Sequence, residues 1–481
     1  MAYTTINDPS AHFQTTTYTG NAGAQTITNG GNSNLSPDWV WIKYRSSGDH
    51  VVVDSNRGAT KEIKPNSNGA ESTAANGVTG FVTDGFTANG AGDYNGSGDY
   101  VSWQWAAGGA APTQTYRVVV VSDSGNKYRF RNSANTVTFA QSAVSLSLQQ
   151  GGTYTFDQSD STVASHPMKF STTSDGTHGG GSSYNTGVTY KLDGSTVTES
   201  AYVSGFASAT TRQIILNPQN TTTLYYYCHY HSGMGGQADQ NATYGSTNFD
   251  GSILSKVSTN TTAGFSTVTW TGNGTGGATI GHGLGAVPEL MIVKKRSGTD
   301  NWAVYHHKIS ADPKTDYINL DGDGARQDSV DRWNDTTPTS TVATLGDAGA
   351  VNGSSATYIG YFFTSIKGYS KFDNYFGNNS SSGTFVYTGF KPAFIIAKNT
   401  ERTQNWRMYD NKRLGINEKN RSLRPNGTHA EQTNNQLDIL SNGFKFRSND
   451  GDTNGYDDNH IYWAFAEAPM VASNNVVGLA R

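Results

Sequence analysis

The sequence predicts an all-β protein built on one strand-rich unit that is used three times. Three observations carry this expectation. A proline, a short apolar run and a closing lysine recur as Pro37–Lys43, Pro288–Lys294 and Pro392–Lys398. Between clusters of Gly, Asn and Asp the chain alternates Thr, Val and Tyr, the pattern of short strands joined by tight turns. The 481 residues include 56 glycines together with 11% aromatics, so the chain is turn-rich yet has more surface to bury than a disordered segment carries. A length of 481 residues exceeds what one hydrophobic core serves, and a fixed repeat implies units that stack or share faces.

The first unit, residues 1–111, opens at Tyr18-Thr19-Gly20-Asn21 and enters its central strand at Pro37. Tyr44 to His50 reads as a hairpin turn, Val51-Val52-Val53 as the next strand, and Asp84-Gly85-Phe86 as a turn into another. The unit closes on Tyr100-Val101-Ser102-Trp103-Gln104-Trp105. Successive side chains in a strand point to opposite faces, so Tyr100 cannot share a face with Trp103 and Trp105. One side is expected to face the unit's own core and the other a neighbouring copy.

A linker is expected at Ala106–Pro112, followed by an insert over 112–238. Tyr116 to Val121 starts a strand, and Val144-Ser145-Leu146-Ser147-Leu148 alternates strictly. The insert ends on Cys228-His229-Tyr230-His231-Ser232-Gly233-Met234, with Ser165-His166-Pro167-Met168 upstream. A thiolate, two imidazoles and a weak thioether are the ligands of a blue-copper site. The Cys-x2-His-x2-Met loop, with one distant histidine, resembles the cupredoxin family of β-sandwiches. That resemblance implies a cupredoxin-like Greek-key sandwich with copper held by His166, Cys228, His231 and Met234, the last as weak axial ligand. The other reading is a cupredoxin-like spacer that binds no metal. His178 and His229 are possible extra ligands, although the expectation for each is an ordinary surface residue.

The second unit, 239–370, restarts at Phe265–Gly274 and closes at Tyr358–Phe363. The third, 371–481, starts at Tyr375. Lys294 to Trp302 and Lys398 to Trp406 are both steps of eight residues. Asp410-Asn411-Lys412-Arg413 matches Asp54-Ser55-Asn56-Arg57, Glu431 matches Glu71, and Asn442-Gly443-Phe444 matches Asp84-Gly85-Phe86. Each unit is expected to be a β-sandwich of jelly-roll or concanavalin-like type.

The pieces Thr271–Gly274, His282–Pro288, Val293–Arg296, Asn301–His306, Ser441–Phe444 and Tyr462–Glu467, in this order, resemble modules of marine, cyanophage-like bacteriophage virion and tail-fibre proteins. The resemblance implies a virion structural protein, a tail-fibre or appendage subunit that binds a host-surface polysaccharide or protein. It implies a homo-oligomer, a trimer above all, that contacts other virion proteins. Two alternatives stand beside it, a copper redox protein and a glycan depolymerase.

The formal charge of −4 gives no basic footprint for nucleic acid. No run of about 18 apolar residues occurs, so no membrane insertion is expected. The first residues carry no basic region followed by an apolar core, so no signal peptide is expected. Cys228 is the single cysteine, which excludes an internal disulfide framework. No nucleophile elbow, HExxH or P-loop occurs, and no enzymatic activity is expected.

Trp302 and Trp406 could stack on sugar rings, but core packing is the expectation. Arg57 and Arg413, three residues after an aspartate, are expected to brace a loop internally rather than grip an anionic ligand. Asp450–Gly455 spaces oxygens like the start of a calcium loop; a turn is expected there, since Ile461 stands where the closing glutamate would be.

Overall fold

A computed structural model describes residues 3–90, 92–108, 111–413, 417, 421–433 and 436–471. Gly109 and Ala110 of the expected linker lie outside the described residues. The chain is all-β, with 43% strand and 5% helix. It divides into two compact units, one of Met1–Gly109, Thr259–Ala278 and His282–Arg481, the other of Ala110–Ser258 and Thr279–Gly281. All three proline-strand-lysine repeats fall in the first unit.

The repeats fold alike. In the first, a four-stranded antiparallel sheet has the order Phe13–Gly20, Gly98–Trp105, Trp39–Tyr44, His50–Asp54. The third repeats it as Ser370–Phe376, Asn459–Pro469, Phe390–Asn399, Arg407–Asp410. In the second, Phe265–Thr271, Thr357–Phe363, Leu290–Lys295 and Ala303–His306 are neighbours in the same order. In each case the proline strand lies between the closing strand and the hairpin partner that follows it. Central strands of such sheets carry continuous apolar sequence because both faces are covered.

What covers the two faces differs. On Trp39–Tyr44, Val40 and Ile42 enter a core private to the first repeat, with Phe86 and Tyr100. Trp39 and Trp41 enter a second core, together with Trp103 and Trp105. That second core also takes Leu290, Ile292 and Trp302 from the second repeat and Phe394, Trp406 and Phe465 from the third. Three sandwiches therefore share one central core. The alternation of Tyr100 against Trp103 and Trp105 is the sequence trace of this division. Burying an indole removes roughly 150–250 Å² from water, or about 4–6 kcal/mol of transfer free energy each. Five tryptophans, Trp41, Trp103, Trp105, Trp302 and Trp406, are fully buried there.

A three-stranded sheet closes the private core of the first repeat (Gln25–Thr28, Gly85–Ala88, Val78–Val82) and of the third (Phe385–Tyr387, Gly443–Phe446, Leu437–Leu440). The matched turn glycines explain themselves here. A Cβ on Gly85 would sit 2.0 Å from the Ile27 carbonyl oxygen, and one on Gly443 2.1 Å from that of Val386.

The other unit is two mixed sheets over a separate core. One has the order Asn126–Arg131, Thr113–Ser122, Thr153–Asp157, Arg212–Leu216, Val188–Leu192, Ser195–Val197. The other has the order Leu146–Gln149, Gly236–Asn241, Thr223–Cys228, Met168–Ser171. Thr113–Ser122 runs parallel to Thr153–Asp157, and Leu146–Gln149 parallel to Gly236–Asn241. The core between them includes Phe130, Phe156, Phe170, Tyr226 and Phe249.

Candidate metal centre

Strand Thr223–Cys228 alternates so that Leu224, Tyr226 and Cys228 point into this core. Its register with Met168–Ser171 sets Met168 opposite Cys228. One residue further, the His229 N–H donates to the Pro167 carbonyl at 2.9 Å, extending the pairing toward His166. His166 is thereby carried to the end of the strand pair where the chain leaves Cys228.

The loop from Cys228 back to Gly236 is held at several points. The Gly233 N–H donates to both Asp175 carboxylate oxygens, at 2.9 and 3.0 Å. Lys127 Nζ donates to the Gly233 carbonyl. The Tyr128 N–H donates to the Met234 carbonyl at 2.9 Å, and the Tyr128 hydroxyl to the His166 carbonyl at 2.7 Å. The loop returns so tightly that a Cβ on Gly235 would lie 1.6 Å from the Tyr226 carbonyl oxygen. Asn126 Nδ2 is 3.5 Å from His166 Nε2, so the ring's far edge also has a neighbour.

Three ligand atoms converge. His166 Nδ1 and His231 Nδ1 are 3.1 Å apart, and Cys228 Sγ is 3.8 Å from the first and 3.6 Å from the second. An ion bound at about 2.0–2.1 Å to nitrogen and about 2.3 Å to sulfur reaches all three only if they lie within about 4.4 Å of one another, and they do. Among the described residues this is the one cluster of three or more His, Cys, Asp or Glu side chains with such spacing. Cys228 and His166 are buried, and His231 is exposed. Met234 is buried in the same core as Cys228 and Met168.

Burial holds Cys228 and His166 in their neutral forms. Burial pushes the Cys228 thiol up from its ordinary value. Burial first, and the His231 ring second, hold His166 down. Without a cation the sulfur thus keeps its proton and His166 is neutral, and a metal must displace the thiol proton to bind. Two imidazoles and a thiol suit soft and borderline ions such as copper and zinc better than hard cations. His178 and His229 stand outside the triangle. His178 Nε2 contacts the Cys228 carbonyl at 3.1 Å, and the His229 backbone serves the strand pairing described above.

The remaining candidates are structural. Trp302 and Trp406 are buried in the shared core. Arg57 pairs with Asp54 at 2.5 Å and Glu71 at 3.1 Å, and Arg413 with Asp410 at 2.6 Å and Glu431 at 3.2 Å, so both arginines brace the fold internally. Asp452, in the loop spaced like a calcium site, gives its carboxylate to Arg407 at 2.6 Å and to the Asn405 N–H at 2.7 Å. The segment is a turn.

Sequence reading missed how the repeats are joined. Arg296 reaches from the second repeat to Glu71 of the first at 2.7 Å, and Arg45 from the first to Glu431 of the third at 2.7 Å. The signal was present as two matched pairs, Arg45 with Arg296 and Glu71 with Glu431. Nothing local to either residue names its partner.

The molecule is thus an all-β scaffold carrying a preformed triangle of one cysteine and two histidines. The chain matches the model of a family described as a domain of unknown function (DUF7483) over residues 8–150 and 237–469, and it belongs to that family. The match omits 151–236, the segment that supplies His166, Cys228, His231 and Met234. No curated protein sequence matches the chain.

Proposed function

We propose that the protein binds one copper ion per chain, held by His166, Cys228 and His231 with Met234 as a weak fourth ligand, in the manner of a cupredoxin. The observation that carries this reading is the convergence of two Nδ1 atoms and one Sγ within 3.1–3.8 Å. The mixed parallel and antiparallel pairing of the two sheets supports the cupredoxin-like reading of the unit. The role we assign is binding, with no catalytic step.

The test is titration of the metal-free full chain with Cu(II). We expect an intense blue thiolate-to-copper absorption that saturates at one equivalent and is absent in Cys228→Ser. Tight uptake of Zn(II) with no blue species on Cu(II) would replace copper by a structural zinc site. No uptake of either metal would overturn the reading.

A second reading concerns what the scaffold is for, and the repeat favours it. We propose that the three sandwiches form the structural body of a bacteriophage virion appendage, assembled as a homo-oligomer, that contacts a host surface. Three copies of one sandwich closed around a common core offer a rigid body that presents many loops, the arrangement by which binding residues are displayed on surfaces. Antibodies to this chain that decorate a tail appendage in electron micrographs would support it. A chain found only in infected cells and absent from purified particles would overturn it.

A further inference from the structure

The three junctions between repeats are built on one plan, and one of them is left open. Backbone contacts fix the correspondence. The Glu431 N–H donates to the Arg45 carbonyl, the Glu71 N–H to that of Arg296, and the Arg326 N–H to that of Thr400, at 2.9, 2.9 and 2.8 Å. Each joins one repeat to the next, and the three close a cycle. In the first two junctions an ion-pair network, buried at its inner end and partly exposed at its bridging arginine, spans the two repeats. It runs Arg45–Glu431–Arg413–Asp410 in one and Arg296–Glu71–Arg57–Asp54 in the other.

At the junction of the second and third repeats every member of that network is replaced. Thr400 stands where the bridging arginine would be and Arg326 where the glutamate would be. Ile309 replaces the buried arginine and His306 the aspartate. His306 Nε2 bonds the Tyr462 carbonyl at 3.2 Å, which closes the inner end. The outer end stays open as a cavity of about 1010 Å³, lined among others by Ile309, Arg326, Thr400, Asn374, Phe376 and Asn459.

We propose that this groove is a binding site for an uncharged oligosaccharide. This rests on the appendage reading for the source of the sugar and on the groove itself for the binding. Its volume is at the upper end of small-ligand sites, roughly 300–1,000 Å³, room for a short chain of sugars. Phe376 stands at it as an aromatic ring that is 56% exposed, although most phenylalanines of this chain are buried. Such a ring suits the apolar face of a pyranose.

Fixed polar groups surround it. Asn374 Nδ2 donates to Asn459 Oδ1 at 2.8 Å, while Asn459 Nδ2 donates to the Lys308 and Ile309 carbonyls, both at 3.1 Å. Arg326 lies 3.6 Å from the Asp316 carboxylate, a paired donor and acceptor of the kind that bridges vicinal hydroxyls. Lys308 and Arg326 face Asp312, Asp316, Asp328 and Glu401. This acidic excess disfavours a uronic-acid or sialylated chain.

The test applies the full-length protein to a panel of neutral and acidic bacterial-surface oligosaccharides. Two variants change the groove. Phe376→Ala removes the exposed ring, and Thr400→Arg places in the groove the side chain that the other two junctions carry. Phe385→Ala, another exposed aromatic of the same repeat that does not line the groove, is the control. We expect neutral glycans to bind, at least tenfold more weakly to both groove variants and unchanged to the control, with all melting temperatures alike. Glycan binding that survives both groove variants would overturn the site and leave the appendage reading standing. Adhesion to host cells with no glycan bound would overturn the sugar class in favour of a protein receptor. Absence of the chain from particles, with glycan binding retained, would fault the appendage reading alone.

Discussion

At each junction between repeats a single buried ring hydrogen-bonds across to the neighbouring repeat. His50 accepts from Trp41 Nε1 at 2.9 Å on Nδ1, and its Nε2 meets the Arg424 carbonyl of the third repeat at 2.9 Å. Trp302 and Trp406 take the same place in the other repeats, donating to the Lys64 and Asn319 carbonyls at 3.0 Å. His306 is held in the same neutral form as His50. Its Nδ1 accepts the Lys308 N–H at 3.1 Å, so its Nε2 must carry the proton offered to Tyr462. Burial first, then His307, pushes His306 down to about 3. The unfolded chain therefore takes up a proton below about pH 6.5 that the folded chain refuses until about pH 3. This group's contribution is intact above about pH 6.5 and is lost as pH falls through that window, by up to about 1.4 kcal/mol per pH unit. His306→Gln keeps a donor and removes the titration. Urea unfolding should show the variant less stable than the parent at pH 7 and the gap narrowed by about 2–3 kcal/mol at about pH 4.5. A gap that does not change with pH would show that His306 is not held neutral.

At the level of the strand and its corner, the proline strands end on lysines that do not reach solvent. Lys43 Nζ donates to the Tyr44 and Gly48 carbonyls at 2.8 Å, and Lys398 Nζ to the Asn399 and Asp323 carbonyls. Burial draws Lys43, Lys294 and Lys398 down to about 8. The lysine is thus a plug for loop carbonyls at the strand end, which is why it recurs with the strand. The corner after the hairpin partner is set by Asp54 and Arg57, both buried, with the Tyr361 hydroxyl donating to Asp54 at 2.7 Å. Removing one member of a buried pair leaves a charge without its partner and costs about 3–5 kcal/mol. Arg57→Ile should lose that much in chemical denaturation. The double change Asp54→His with Arg57→Ile copies the residues the second repeat uses at these positions, His306 and Ile309, and should lose less than the single change. A double variant less stable than Arg57→Ile would refute the equivalence of the junctions.

Over the whole molecule, much of the first unit was legible as sequence. Period-two alternation separated Tyr100 from Trp103 and Trp105, and the structure assigns them to two cores. The equal eight-residue spacing from Lys294 to Trp302 and from Lys398 to Trp406 marked equivalent strands, because a strand and its hairpin partner are joined locally. The three proline strands also showed which segments would be central, since only a strand covered on both faces tolerates an unbroken apolar run. The convergence of Cys228 with two histidines was legible only in part. Cys228, His231 and Met234 belong to one short loop, and loop spacing is a local property. That His166 sits 3.1 Å from His231 depends on a strand register between segments far apart in the chain, which the sequence suggested only through family resemblance. The chain itself determined its strands, its turns and its repeat, because these follow from neighbouring residues and backbone sterics. Tertiary structure alone decided that three sandwiches share one core and that Arg45 and Arg296 find glutamates hundreds of residues away. It alone left a groove where Thr400 and Ile309 replace arginines, because such contacts are chosen by packing between segments whose separation along the chain carries no signal.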